Sequence, residues 1–184
     1  MRISVKILSV LFFIAFFGQA QASVSAVMAK ITSLYTNILC HELGHATVNK
    51  ILFNDPIDMQ AGIFTPVTLV NNSAAKIKLG LLPISGFAKV HPQPLKTKAE
   101  KLKMLAVILA GPLSGSLSSL ILKNFIETCL PMTKFTKELV LEFKLLTIGS
   151  WIEFLPIKLS FIKTDGWQAI KLIFSLMENK EVTL

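Results

Sequence analysis

The sequence predicts a mainly α-helical fold: a multi-pass membrane bundle of about three to four transmembrane helices, with a short β-hairpin element after the helix at residues 24–53. Three observations carry that expectation. Hydrophobic residues fill 52% of the 184 positions and charged residues only 16%, with a mean hydropathy of +0.61, whereas an ordinary globular domain is about 25% charged. Residues 104–122 form a charge-free run of 19, a length that crosses a bilayer. The third is Cys40-His41-Glu42-Leu43-Gly44-His45-Ala46, a His-Glu-x-x-His motif in an otherwise apolar stretch. A carboxylate and two imidazoles are costly in lipid, so in such a helix they mark a functional site.

In chain order, residues 1–22 have the layout of a secretory signal: Arg2 and Lys6, an apolar core over 7–17, and Ala20-Gln21-Ala22 as a small-residue cleavage site. The charge-free run continues to Ala29, long enough for a retained first transmembrane helix, so both fates are open. Residues 23–184 form one domain. Its first helix, 24–53, has only Lys30, Glu42 and Lys50 as formal charges. Residues 54–103 form a polar connector with strand-like pieces at 63–70 and 76–82 around the turn signal Asn71-Asn72-Ser73. A loop and strand edge at 82–90 follow, and His91, beside Pro92, is an exposed loop histidine. In 104–122, Gly111, Ser114, Gly115 and Ser118 share a face that admits a close helical neighbour. After a connector at 123–138, a weaker hydrophobic segment at 139–155 is interrupted by Glu142, Lys144 and Glu153 and stops at Pro156. Thr164-Asp165-Gly166 opens a last amphipathic stretch, 167–177, with Asp165 in the N-cap position.

The formal charge of +8 comes almost wholly from lysines lying between hydrophobic runs. That arrangement suits loops at a membrane surface and argues against a nucleic-acid partner. If the motif helix runs inward, 104–122 outward and 139–155 inward again, seven connector lysines gather on the cytoplasmic side, together with the motif and Asp165. Cys40 and Cys129 make no disulfide framework, and Cys40 lies about 100° around the helix from His41, as packing rather than a ligand.

On a helix, residues four apart differ by about 40° around the axis, so His41 and His45 share a face and can bind one metal. Glu42 stands beside them, placed to take a proton from a water held at the metal. Catalytic zinc takes three protein ligands, but Val48 and Ile51 occupy the positions of the extended motif that ends in a third histidine. Glu100, Glu127, Glu138, Glu142 and Glu153 are candidates for the third ligand. Asp165 is another, distinguished by an Asp-Gly at a helix start after a proline-broken segment.

His41-Glu42-Leu43-Gly44-His45, Ala110-Gly111-Pro112-Leu113 and Phe154-Leu155-Pro156 with Asp165-Gly166 together resemble the core of the site-2 proteases, over residues 24–178. These are intramembrane zinc metalloproteases. The resemblance implies that His41, His45 and Asp165 bind Zn2+, that Glu42 is the general base, and that 82–90 is the family's β-hairpin element. The chain departs from the family at Ser114-Gly115 and at Glu153, where asparagines are common, and in a longer interval from Pro156 to Asp165. It is a small form with no room for a PDZ domain. The implied activity is hydrolysis of peptide bonds in membrane-anchored proteins, by an integral protein of a bacterial inner membrane with its site toward the cytoplasm. A catalytically silent membrane zinc-binding scaffold and a secreted soluble zinc metalloprotease are the alternatives.

Overall fold

The computed structural model describes residues 24–64, 66–90, 94–157 and 164–178; residues 1–22, expected as a signal peptide or first transmembrane helix, and His91 lie outside them. Helix α1 (Val24–Phe53) is an unbroken 30-residue helix, as a long proline-free apolar run favours. Asn54 ends it in the left-handed conformation, φ 59°, its N–H donating to Lys50 O at 3.0 Å. Asparagine accepts that geometry better than most residues, and Pro56 follows. The inward face of α1 is polar at four-residue intervals: Ser33, Asn37, His45 and Asn49 are buried, and His41 completes the stripe.

Where a short β-hairpin was expected, the chain builds a four-stranded mixed sheet in the order β2-β3-β1-β4. The strands are β1 (Ile57–Ile63), β2 (Val67–Asn71), β3 (Ala75–Leu79) and β4 (Leu82–Ala88). The expected strand at 63–70 is split at Phe64, whose φ is 60°, and at Pro66. Asn72 makes the next turn, its Oδ1 accepting from the N–H groups of Ala74 (2.9 Å) and Ala75 (2.8 Å). β1 runs parallel to β3, with Ile57 opposite Ala75, and antiparallel to β4, with Met59 opposite Ala88. Met59 and Ala61 of β1 are fully buried, and β1 and β4 both pack on α1. β4 is an edge strand.

Helix α2 (Lys98–Cys129) begins inside the expected connector. A capping box starts it: Thr97 Oγ1 accepts from Glu100 N–H at 3.1 Å, and Glu100 Oε2 accepts from Thr97 N–H at 2.9 Å. Helix α3 (Lys134–Ile152) is capped by Thr133, and helix α4 (Asp165–Glu178) closes the described chain.

The multi-pass membrane bundle is not what forms. Among the described residues only α2, 32 residues with a window hydropathy of 1.9, is long and apolar enough to cross a membrane. α1 spends its buried face on polar groups. α3 carries Lys134, Lys137, Glu138, Glu142 and Lys144 in 19 residues. α4 has 14 residues, about 21 Å, against a hydrocarbon core of about 30 Å. The topology built on three crossings falls with that count.

Two apolar clusters bracket the interior. Leu95, Met104, Val107, Ile108, Ala169 and Leu172 join α2 to α4, and Ala29, Ile126, Leu139 and Phe143 join α1, α2 and α3. The polar stripe of α1 passes between them.

Candidate metal centre

Three atoms that carry lone pairs converge at the middle of α1. His41 Nε2 and His45 Nε2 are 3.0 Å apart, and Asp165 Oδ2 lies 3.2 Å from the first and 3.3 Å from the second. Helix periodicity brings the two imidazoles together, and the start of α4 delivers the carboxylate from the other side. His41, His45 and Asp165 thus form a group that could hold a metal ion. Corners of a tetrahedron around a metal with bonds of about 2.0–2.1 Å are about 3.3–3.4 Å apart, close to this triangle. Two imidazole nitrogens and one carboxylate suit zinc, and suit iron(II) or manganese(II) as well.

Each of the three is oriented from behind, as metal ligands usually are. His45 Nδ1–H donates to Val107 O at 2.8 Å, which leaves Nε2 as the lone-pair nitrogen. His41 Nδ1 faces Glu153 Oε2 at 3.0 Å. Asp165 Oδ1 accepts from Gln168 Nε2 at 3.4 Å, one turn along α4. Gly111 makes room for the cluster: a Cβ there would stand 2.1 Å from His45 Nε2.

Without a positive charge among them these atoms repel one another. In the metal-free chain a proton answers that need. Burial opposes a charge on His41, but the carboxylates of Asp165 and Glu153 outweigh it and raise its pKa to about 10. Burial likewise works against ionised Asp165, yet the two histidines hold its pKa down at about 2.

Glu42 is buried beside the triangle, and burial raises its pKa above the ordinary carboxylate value. It lines a cavity of about 440 Å³ with His41, His45, Asp165 and the β4 segment from Ile84 to Ala88. Gly86 permits that approach: a Cβ there would meet Glu42 Cγ at 2.7 Å and Gln60 O at 2.8 Å.

The residues proposed from sequence thus meet at one place, with two adjustments. The N-cap hydroxyl of α4 belongs to Thr164, whose Oγ1 accepts from Trp167 N–H at 3.3 Å, so the Asp165 carboxylate is free to face the histidines. Glu153 lies behind His41, outside the ligand triangle. Glu100, Glu127, Glu138 and Glu142 do not join it. Asn37 escaped notice although its spacing, one turn before His41, pointed to it. Its Nδ2 donates to Gly115 O (3.1 Å) and Ser119 Oγ (2.9 Å), tying α1 to α2 beside the cavity. Gly86 and Gln168 carried no such sequence signal. No protein-family model matches this chain, and no curated protein is detectably similar to it.

Proposed function

We propose that the chain is a zinc-dependent peptidase that hydrolyses peptide bonds of membrane-anchored proteins. The observation that carries this reading is the convergence of His41, His45 and Asp165 with Glu42 at the floor of a cavity walled by an open strand edge. His41, His45 and Asp165 would hold the ion, which when bound supplies Lewis acidity and a water of lowered pKa. Glu42 has the proton-transfer role. Its raised pKa brings it closer to neutrality, where a carboxylate both takes a proton and returns it to a leaving amine. The edge of β4 supports a peptide as substrate, because unpaired main-chain groups along 84–88 can align an extended segment over Glu42. The apolar helix α2 supports a membrane-anchored substrate, since it would keep enzyme and substrate at the same bilayer.

Glu42→Gln tests the assignment. The purified variant is expected to keep about one zinc per chain. Its cleavage of a membrane-anchored reporter should fall by about 10²- to 10⁴-fold. Undiminished cleavage by that variant removes Glu42 from the mechanism, and a wild type without zinc removes the proposal.

A further inference from the structure

We infer that Glu153 is a positioning residue of the metal site, holding the His41 imidazole so that Nε2 points at the shared centre. The inference rests on reading the His41–His45–Asp165 triangle as a metal site. Glu153 is half exposed as a side chain, 46%, yet its Oε2 is buried, lies at ion-pair distance from His41 Nδ1, 3.0 Å, and completes no hydrogen bond among the described residues. A buried carboxylate oxygen left without donors is costly, so its placement against the imidazole needs a reason. Setting a carboxylate against Nδ1 gives one: it favours the tautomer that carries the proton on Nδ1, restrains the ring about χ2 and makes Nε2 a stronger donor.

The two histidines are held unequally. His45 is oriented by a neutral carbonyl, that of Val107, on the rigid interior of α2. His41 is oriented by a full negative charge on the residue that ends α3. Glu153 also reaches the third ligand through its backbone. Its carbonyl accepts from Gly166 N–H at 2.8 Å, and Gly166 directly follows Asp165. One residue therefore fixes one ligand with its side chain and the helix of another with its main chain. The carboxylate also adds negative charge next to a site for a dication, which favours loading.

The test is competitive zinc titration of full-length wild type, Glu153→Ala and Glu153→Gln, with the visible spectrum of each cobalt-loaded protein and circular dichroism of each chelated one. Glu153→Ala is expected to bind zinc about 10- to 100-fold more weakly. Glu153→Gln should fall between it and the wild type, because its amide oxygen still accepts from Nδ1–H without the charge. The cobalt bands should shift in both variants while the dichroism does not. A purely structural role for Glu153 would leave those bands where they are. Wild-type affinity in a folded Glu153→Ala overturns the inference. Should Glu153→Ala fail to fold, wild-type affinity and bands in Glu153→Gln overturn it instead. A wild type that binds no metal overturns the metal site itself, an outcome separate from an unaffected variant.

Discussion

At the scale of single residues, reading the triangle as a metal site makes it a contest between a proton and a metal for the same lone pairs. In the metal-free chain His41 keeps its proton up to about pH 10, so a metal must displace it. Apparent zinc affinity should therefore rise with pH, by about tenfold per unit for one proton released, across the neutral range. Competition titrations at pH 6, 7 and 8 check this; a flat profile means that His41 is not the protonated partner. Stability of the chelated protein follows the same groups with opposite limits. The raised His41 contributes fully below its ordinary value of 6.5 and loses that contribution as pH climbs through about 10. The lowered Asp165 contributes fully above 3.8 and loses it as pH falls through about 2. Gly111→Ala puts a methyl group where the His45 ring now lies. It should abolish zinc binding and cost about 1–3 kcal/mol of stability, measured by denaturant unfolding. The His-Glu-x-x-His cluster was legible because helix periodicity alone brings residues four apart together. The supporting roles of Val107 and Glu153 were not, since no local spacing connects them to His41 or His45.

At the scale of elements, local signals located the ends that they control. The turn at Asn71-Asn72-Ser73 read correctly from its side-chain chemistry, and α1 read correctly from its uninterrupted apolar run. The start of α2 was readable too, since Thr97-Lys98-Ala99-Glu100 spells a capping box, but the lysines around it suggested a loop. Thr97→Ala should cost about 1 kcal/mol. A fall in unfolding midpoint with unchanged zinc affinity would place the effect on the helix rather than on the site. The sheet was the poorest reading. β1 does alternate, Ile57, Met59, Ala61 and Ile63 against Asp58, Gln60 and Gly62, but Pro56 and the polar surroundings masked it, and its pairing with β3 and β4 depends on partners distant in sequence.

At the scale of the molecule, the hydrophobic total was read as several membrane crossings, whereas among the described residues one helix is apolar and long enough to cross, and part of the rest fills two interior clusters that bracket the polar stripe of α1. Composition counts apolar residues without saying which face they occupy. What stays outward on α2 is still apolar: Leu113, Leu117, Leu120 and Ile121 are 43–58% exposed. On the proposed reading that surface meets lipid. The expressed protein should remain in the membrane pellet through alkaline carbonate and leave it only with detergent. Release by carbonate would confine the activity to soluble substrates.

The metal triangle draws its corners from distant parts of the chain, two near the start and the third more than a hundred residues later. Ribosomes add about 5–20 residues per second, so an emerging polypeptide carries both histidines for several seconds before Asp165 exists. During that interval it has only two of the three candidate ligands, and two hold an ion less firmly than three. On the proposed reading, cutting therefore waits until Asp165 has been made, which spares the emerging chain from its own two histidines and Glu42.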